Sequence, residues 1–576
     1  MSKVLTAQEP SAKYLVNLQP PLVQHFDLIA QAPGGVARLR ELILTLAVQG
    51  KLVSQDPSDE PASELLKKIR AEKDRLIAEG KIKRDKPFAE ISDEEKPFDL
   101  PGGWEWVRFS ALAAFENGDR GSNYPSRSNF VDQGIAFINA GHLVDELIDY
   151  ADMNYITPQN FDLLRSGKIQ RSDILYCLRG SLGKFAQVTN DVAGAIASSL
   201  VIIRLTDKAI ASYVMRYLKS SLAAKLIKRF DNGTAQPNLG AGDLAKFVVP
   251  LPPLAEQSRI VTRVEELMRV CDALEASGQL EAQQHAQLVN TLLGTLTQSE
   301  TPEALADNWQ RIATHFDLLL DRPEAVDALE QTILQLAVRG LLVPQDPTDE
   351  PASVLLQKIR TEKDHLIAQG KIKRDKPLPP ITEEEKPFEL PQGWQLTRLG
   401  ALMELISGQH LGPNEYVEGL DGGIPYLTGP AEFGAESPSP TRSTKETRSV
   451  AVSGDILITV KGSGVGKLNV VRHPEIAISR QLMAIRPLGV NFDFVLLVLK
   501  TMALKFQAQA VGIAIPGIGR EDVAGSLVAL PPIAEQRRIV TRVNEIRSLC
   551  ADLRQRLFYV QATRTHIAEL FSESDK

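Results

Sequence analysis

Two stretches of the chain place polar side chains on glycine- and proline-rich turns between short apolar runs. Arg and Lys can donate to guanine, Asn and Gln can bond adenine, and all of these side chains also reach phosphates. Such residues on the turns of a repeated skeleton are candidates for contact with nucleic acid. In residues 105–250 the candidates are Arg120, Asn123, Tyr124, Arg127, Asn139, His142, Arg179, Lys184 and Gln236. In residues 395–529 they are Gln409, His410, Tyr416, Thr428, Lys461, Ser463, Lys467, Arg480 and Gln481.

A glycine-rich turn raises the question of catalysis. The segment GSGVG at 462–466 follows the apolar run ILITV and could lie under S-adenosylmethionine, but its counterpart GSLG at 180–183 lacks the third glycine. The sequence also has no Asn/Asp-Pro-Pro-aromatic tetrapeptide, which an amino-methyltransferase needs to hold a flipped base. A phosphate-binding loop is excluded because Leu468 follows Lys467 where Ser or Thr is required. A tight turn between strands is the preferred interpretation.

Metal and disulfide chemistry find little support. The three cysteines, Cys177, Cys271 and Cys550, are too few and too scattered for a disulfide framework or a zinc site. No two of the eight histidines have the spacing of a metal pair on a helix. The sequence therefore predicts no metal on this chain and no catalytic residue.

The elements that position these residues are repeated along the chain. EKDRLIAEGKIKRDKP at 72–87 returns as EKDHLIAQGKIKRDKP at 362–377, an offset of 290, and LPPLAEQSRIVTRV at 251–264 returns as LPPIAEQRRIVTRV at 530–543, an offset of 279. Between these duplicated flanks lie two inserts that share only a thin skeleton. We therefore divide the chain into five regions: 1–104, 105–250, 251–394, 395–529 and 530–576.

Charge is distributed unevenly over these regions. The chain has a formal net charge of −7, whereas residues 105–250 hold 16 Lys and Arg against 14 Asp and Glu, and residues 395–529 hold 12 against 12. This argues against a protein that coats nucleic acid non-specifically. If DNA is bound, we expect the inserts to bind it. Because the sequence shows neither a signal peptide nor an apolar run long enough to cross a membrane, we expect a cytoplasmic protein.

The flanks are predicted to be helical and the inserts to be small α/β domains, so the fold class is α+β. Pro61 and Gly80 bracket one helix, and the repeated LPP motif opens two helices of about 40 residues with apolar stripes. We prefer a coiled coil between these two helices to the alternative in which each stripe packs on its own domain. The predicted core positions are Ile260, Val264, Leu267, Cys271, Leu274, Ile539, Val543, Ile546, Cys550, Leu553 and Leu557, followed in the first helix by Leu288, Leu292 and Leu296.

This organisation resembles the specificity (S) subunit of type I restriction–modification systems. The resemblance is carried by SDILYCLRGSLGK and GDILITVKGSGVGK at 172–184 and 454–467, by a late Gly–Pro loop, and by LPPLAEQ and LPPIAEQ opening the long helices. It covers nearly the whole chain. The copy of the repeated flank at the N-terminus is similar to the type IB branch.

The resemblance implies a DNA-binding subunit without catalytic activity. Each insert would be a target recognition domain for one half of a bipartite DNA site. The long helices would form an antiparallel coiled coil in a pseudo-two-fold repeat. The repeated regions would bind two methyltransferase (M) subunits, with nuclease/translocase (R) subunits joining them. S-adenosylmethionine, ATP and Mg would then be bound by the partner subunits.

Two other functions remain open at this point. The chain could be a self-contained methyltransferase, which the missing tetrapeptide disfavours and which cofactor binding by the purified chain would reveal. It could also be a coiled-coil adaptor that binds only proteins. Loss of sequence-selective DNA binding in the assembled complex would favour that interpretation.

Overall fold

Helices and strands alternate along the chain in the order that the repeat predicts, and the fold is α+β. This computed structural model describes residues 29–30, 32–83, 88–233, 236–299, 301–374, 376–509 and 517–573. Residues 1–28, the start of the predicted region 1–104, lie outside that set. The contacts divide the chain into two compact units, residues 1–281 with 561–576 and residues 282–560.

The first unit combines flanking helices with the first insert. Its helices are α1 (Gly35–Val48), α2 (Ala62–Ala78), α3 (Phe109–Leu112), α4 (Pro158–Leu163), α5 (Ala211–Leu218), α6 (Ser221–Phe230), α7 (Ala241–Leu244) and the start of α8 (Leu254–Thr297). Its strands are β1 (Glu105–Arg108), β2 (Ala113–Asn117), β3 (Phe130–Val131), β4 (Ile135–Ile138), β5 (Leu143–Val144), β6 (Leu147–Ile148), β7 (Asn154–Ile156), β8 (Ile174–Cys177), β9 (Phe185–Gln187), β10 (Gly194–Ile196), β11 (Leu200–Leu205) and β12 (Val248–Leu251).

The second unit is built in the same order. Its helices are the end of α8, α9 (Pro302–Thr314), α10 (Phe316–Leu319), α11 (Pro323–Arg339), α12 (Ala352–Ala368), α13 (Phe492–Gln509), α14 (Arg520–Gly525) and most of α15 (Ile533–Glu573). Its strands are β13 (Gln395–Arg398), β14 (Met403–Ser407), β15 (Val417–Glu418), β16 (Ile424–Leu427), β17 (Arg442–Thr444), β18 (Val450–Val452), β19 (Ile456–Thr459), β20 (Leu468–Val470), β21 (Glu475–Ile478), β22 (Leu482–Pro487) and β23 (Leu527–Leu530). Single 3₁₀ turns cover 93–95, 127–129, 140–142, 208–210, 383–385, 399–401 and 430–432.

Each insert is closed by a pair of antiparallel strands and contains the same antiparallel sheet. Strand β1 pairs with β12, and β13 pairs with β23, so the first and last strands of each insert meet. The sheet β2-β11-β8-β9 of the first insert has the strand order of β14-β22-β19-β20 in the second. A further sheet in each, β10-β4-β7-β3 and β15-β17-β16-β21-β18, contains one parallel pair.

The long helices α8 and α15 have 44 and 41 residues, in agreement with the predicted length. Gly278 interrupts the apolar stripe of α8 but does not end the helix. Leu288, predicted to be buried, is 52% exposed, so that prediction was wrong. The stripe there runs through Val289, Leu293 and Leu296, which are at most 4% exposed, because the helix resumes the 4-3 spacing after the interruption.

The first half of each stripe packs within its own unit, as the alternative interpretation expected. Ile260, Val264, Leu267 and Cys271 are fully buried in a cluster with α1, and Leu274 lies at its edge. In the second unit Ile539, Val543 and Cys550 are buried with α11, and Ile546, Leu553 and Leu557 are partly buried there. The end of α15 belongs to the first unit, where Arg38 of α1 donates to Thr565 O (3.1 Å) and Glu569 (2.9 Å).

The ion pairs that bind these helices have opposite polarity in the two units. Arg40 of α1 contacts Glu275 of α8 (2.7 Å) and Asp272 (2.7 Å). At the equivalent positions of the repeat, Glu330 of α11 contacts Arg554 of α15 (2.6 Å). Pairing the wrong copies would place Arg40 against Arg554 and Glu330 against Glu275. Like-charge repulsion therefore opposes an exchange of partners between the duplicated halves.

A buried hydrogen bond joins each repeated flank to the start of its long helix. Trp104 Nε1 donates to Glu256 in the first turn of α8 (3.0 Å), and Trp394 Nε1 donates to Glu535 in the first turn of α15 (3.0 Å). Gln55 donates to the carboxylate of Glu256 at 3.2 Å, as Gln345 does to that of Glu535. Burial raises the pKa of both glutamates. We call this arrangement the Trp–Glu lock.

We expect Trp104→Phe to lower the free energy of unfolding of the first unit by about 2 kcal/mol, because it leaves Oε2 of the buried Glu256 carboxyl group without its donor. Urea-induced unfolding would measure the change. Trp106→Phe is the matched control: this half-exposed ring packs on Phe98 with centroids 5.0 Å apart, so we expect a loss below about 1 kcal/mol. Equal losses in the two variants would contradict the importance of the lock.

Candidate nucleic-acid interface

In the first insert, four loops meet at one edge of the sheets. They follow β4 and β8, precede β11, and precede α7. Three backbone hydrogen bonds connect them: Ala197 N to Ile138 O (2.7 Å), Leu178 N to Ser199 O (2.8 Å) and Leu239 N to Leu178 O (2.9 Å). The side chains that follow the strand ends are thus held close together on a rigid framework, which we call the loop edge.

The second insert has a loop edge with the same connections. They are Ser479 N to Leu427 O (3.0 Å), Val460 N to Gln481 O (2.8 Å) and Ile518 N to Val460 O (2.9 Å). The loop before Ile518 is the counterpart of the one before Leu239, and its residues 510–516 lie outside the described part of the chain. The inserts therefore share a framework although their side chains differ.

Several predicted contact residues of the first insert lie on its loop edge. Arg179 is exposed and its Nε donates to Asn238 Oδ1 (3.1 Å), while Gln236 is exposed on the same loop as Asn238. Arg120 joins them, because its guanidinium reaches Ser198 O (3.4 Å). Lys184 is exposed at the end of the turn that begins at Arg179.

Asn123, Tyr124 and Arg127 lie on the loop that follows β2, and contacts of the first two hold this loop in place. Asn123 Nδ2 donates to Leu163 O (3.0 Å), and the half-buried Tyr124 ring packs edge-on against Phe137 with centroids 5.7 Å apart. Arg127 is exposed in a 3₁₀ turn. These side chains lie on the loop that leaves the edge after Gly118.

His142 is placed differently from the other candidates. It is 7% exposed, its Nδ1 accepts from Asn139 N (3.0 Å), and its Nε2 lies 3.2 Å from Asp152 O. Asn139, in contrast, is half-buried at the end of β4, and its Oδ1 accepts from Gly141 N (2.8 Å). His142 therefore supports the turn that presents Asn139 and does not itself face solvent.

In the second insert, five candidates are exposed on the loop edge: Lys461, Ser463, Lys467, Arg480 and Gln481. Gln409 and His410 are exposed on the segment that leaves β14. Tyr416 is half-buried between Tyr426, at 5.5 Å between ring centroids, and the guanidinium of Arg442, 5.5 Å from the ring centre.

The hydroxyl proton of Thr428 is used in a hydrogen bond within the insert, so the hydroxyl can only accept a hydrogen bond from a ligand. Its Oγ1 donates to Glu432 Oε2 (2.6 Å), and Glu432 also accepts from Thr441 (3.2 Å). Burial raises the pKa of Glu432, but these hydrogen bonds outweigh it, so the pKa is lowered overall and the carboxylate stays charged at neutral pH. The Thr428 hydroxyl therefore presents lone pairs, which suit a base amino group. The sequence pattern did not identify Glu432, because a supporting carboxylate has no spacing signature.

The glycine-rich turns are hairpin connections. The segment 460–467 joins the antiparallel strands β19 and β20. A loop that binds a cofactor phosphate leads into the N-terminus of a helix, whereas this segment leads into a strand. Gly183 and Gly466 both have positive φ, 83° and 84°. A Cβ at Gly183 would lie 3.1 Å from Ile227 Cδ1 of α6, and one at Gly466 would lie 2.9 Å from Ala503 O of α13. Each turn thus packs against the helix that leads to the last loop of the edge.

A half-buried arginine fastens each sheet at the end opposite the loop edge. Arg204 forms two hydrogen bonds with Asp173 (2.9 and 2.7 Å) and one with Glu116 (3.0 Å). In the second insert Arg486 makes the same contacts with Asp455 (2.8 and 2.8 Å) and Glu404 (3.0 Å). The equivalent network in both inserts indicates that it belongs to the framework, independently of what each insert binds.

We expect Arg204→Met to lower the free energy of unfolding by about 3 kcal/mol, because it leaves the 2%-exposed carboxylate of Asp173 without its cation. Arg171→Met is the control, since its ion pair with Asp191 is well exposed and we expect a loss below about 1 kcal/mol. Thermal and urea unfolding of both variants would measure the difference. A loss at Arg204 no larger than that at Arg171 would contradict this account.

Other kinds of site have little support in the structure. Within the described ranges, no three His, Cys, Asp or Glu side chains are grouped so that they could hold a metal ion. The three cysteines are buried and free. None of the described helices has both the length and the apolar character needed to cross a membrane.

Comparison with known proteins places these features in a family context. Residues 101–283 match the family model of the type I restriction modification DNA specificity domain. The type I restriction enzyme EcoEI specificity subunit of Escherichia coli is 34% identical over 563 residues, covering 94% of each chain, and the EcoAI specificity subunit of the same species is 44% identical over 383 residues, covering 65% of this chain and 63% of the other. A crystal structure of the HsdS subunit from Thermoanaerobacter tengcongensis aligns with a TM-score of 0.40 at 21% identity, covering 84% of this chain and 98% of that chain.

Proposed function

This chain belongs to the family of type I restriction–modification DNA specificity subunits, and we propose that its two inserts each read one half of a bipartite DNA site. Residues 105–250 and 395–529 are then target recognition domains. The remaining regions, 1–104, 251–394 and 530–576, form the scaffold that carries them. The closing strand pairs β1–β12 and β13–β23 support these boundaries.

The observation that carries the proposal is one framework that presents two sets of side chains. At equivalent positions of the two loop edges, Asn139 corresponds to Thr428 and Arg179 to Lys461, and the Ser198–Ser199 pair corresponds to Arg480–Gln481. Base recognition in DNA depends on the donors and acceptors that reach the base edges. Equal frameworks with different donors and acceptors suit two different half-sites.

The scaffold is proposed to hold the two domains at a fixed separation. A helix of about 40 residues spans roughly 60 Å, or less than two turns of B-DNA. We infer an antiparallel coiled coil of α8 and α15 with pseudo-two-fold symmetry. In support, the end of each long helix belongs to a different unit from its start. The gap between the half-sites would then follow from helix length.

The duplicated flanks are proposed to recruit partner subunits. Two copies of one surface suit two identical methyltransferase (M) subunits, and nuclease/translocase (R) subunits would join them. Catalysis, with S-adenosylmethionine, ATP and Mg, would reside in the partners, and the DNA substrate would place the complex in the cytoplasm. The repeated flank at the N-terminus supports assignment to the type IB branch.

The near-neutral inserts suggest how binding is shared. Phosphate contacts by Lys and Arg supply most of the sequence-independent affinity for DNA. With 12 basic against 12 acidic residues, the second insert has no excess of positive charge. We therefore propose weak DNA binding by this chain alone and tighter, salt-sensitive binding in the complex with M.

We expect that replacing residues 105–250 by the corresponding domain of another family member changes one half of the methylated sequence and leaves the other half and the gap unchanged. The reason is that each loop edge is assembled within its own insert. The measurement is the methylated motif in cells that co-express the chimera with the M subunit. The reciprocal exchange of 395–529 is the control and should change the other half only. A change in both halves from one exchange would contradict independent reading.

A further inference from the structure

Helix α6 of the first insert carries three cations on one face. Lys225, Lys228 and Arg229 have the i, i+3, i+4 spacing of neighbours on a helix and are all exposed. The adjoining side of the helix is buried through Leu222, Ala223 and Leu226. The helix is therefore amphipathic, with a positive outer surface that we call the α6 cation face.

These cations form no ion pair within the described part of the chain, although the charge of Arg229 helps to lower the pKa of Glu95. No carboxylate described there forms an ion pair with Lys225, Lys228 or Arg229. Lys246, just beyond α7, differs because it contacts Asp243 at 2.7 Å. Exposed cations that lack a protein counter-ion remain available to a ligand anion.

The cation face adjoins the loop edge. The turn that carries Arg179 and Lys184 packs on α6, where a Cβ at Gly183 would approach Ile227. Helix α6 then leads into the last loop of the edge, in which Asp231 accepts from Asn238 N (2.9 Å) and Asn238 accepts from Arg179 (3.1 Å). The positive surface and the proposed base-reading side chains thus belong to one connected structure.

The described residues of the second insert form no equivalent cation face. Its counterpart of α6 is the end of α13, which packs on Gly466 and leads to the equivalent loop. The last ten residues of α13, 500–509, contain two cations, Lys500 and Lys505, whose spacing of five does not make them neighbours on one helix face. Lys228 and Arg229 lie in the last turn of α6, where they also stabilise the helix dipole, whereas Lys225 lies outside that turn.

We propose that Lys225, Lys228 and Arg229 bind the phosphate backbone of the DNA beside the first half-site. This inference rests on the proposed function and adds that the two recognition domains hold DNA in different ways. The first domain holds DNA partly through contacts that are independent of sequence, whereas the second depends on its base-reading loops and on the partner subunits. Phosphate is the ligand because lysines act as point charges toward its oxygens and because the face lies on a helix beside the loop edge that presents the base-reading side chains.

The test is the salt dependence of DNA binding by the Lys225→Gln/Lys228→Gln variant in complex with the M subunit. Fluorescence anisotropy would be recorded from 50 to 200 mM KCl with two duplexes, one that contains the methylated sequence and one with the same bases scrambled. The control is Arg171→Gln/Lys208→Gln, which also removes two cations. Arg171 precedes β8 and Lys208 follows β11, so both lie at the end of the sheet away from the loop edge.

Removing two phosphate contacts should reduce the slope of log Kd against log salt by about 1.8 on both duplexes. Between 50 and 200 mM KCl, wild-type affinity should then fall about tenfold more than that of the variant. The control should keep the wild-type slope. An unchanged slope in the variant, an equal reduction in the control, or a loss confined to the specific duplex would each overturn the proposal.

The outcome for the wild-type complex separates this inference from the proposed function. If the wild type binds both duplexes equally, sequence-specific recognition fails, while a reduced slope in the variant would still support the α6 cation face. If the wild type prefers the specific duplex and the variant slope is unchanged, the proposed function stands and the cation face is not a phosphate site.

Discussion

The structure depends on a buried hydrogen bond that is made twice, between a tryptophan of the repeated flank and a glutamate in the first turn of a long helix. Trp104 with Glu256 and Trp394 with Glu535 have the same donor–acceptor distance of 3.0 Å. The bond fixes the position at which each insert, closed by its first and last strands, leaves the scaffold. Two different recognition surfaces can therefore be carried in equivalent ways.

Duplication creates a risk that the charge pattern reduces. Nearly identical flanks could pack on each other's long helices, because their apolar stripes use the same residue types. The Arg40–Glu275 pair of the first half is reversed as Glu330–Arg554 in the second. Either incorrect pairing would bring like charges together. Ion pairs of this exposure contribute little to stability, so their main effect is on the choice of partner.

Much of this organisation was predictable from the sequence, since repeats, helix boundaries and glycine turns have local signatures. The helix after Pro61 ends before Gly80, and the loops that carry Arg179 and Lys461 lie at equivalent strand ends. The packing partner of the early stripe, which includes Ile260 and Cys271, was not predictable. An apolar stripe specifies that a surface is buried but does not identify its partner.

The individual side chains of the interface were harder to predict for a different reason. His142 and Asn139 look alike as polar residues near a turn, yet one is buried by hydrogen bonds within the turn and the other is presented by it. The cations of α6 were overlooked because a basic helix face usually indicates only solvation. Their proximity to the loop edge depends on the contact of Gly183 with Ile227, which lies 44 positions away in the sequence.

The most direct test of the central claim is a genome-wide map of N6-methyladenine. The chain would be co-expressed with its methyltransferase partner in a host that lacks adenine methylation. Two short defined sequences separated by a fixed unspecified gap are expected, because two loop edges are carried by one scaffold of fixed length. Methylation at a single uninterrupted sequence, or none despite a stable complex, would contradict the account.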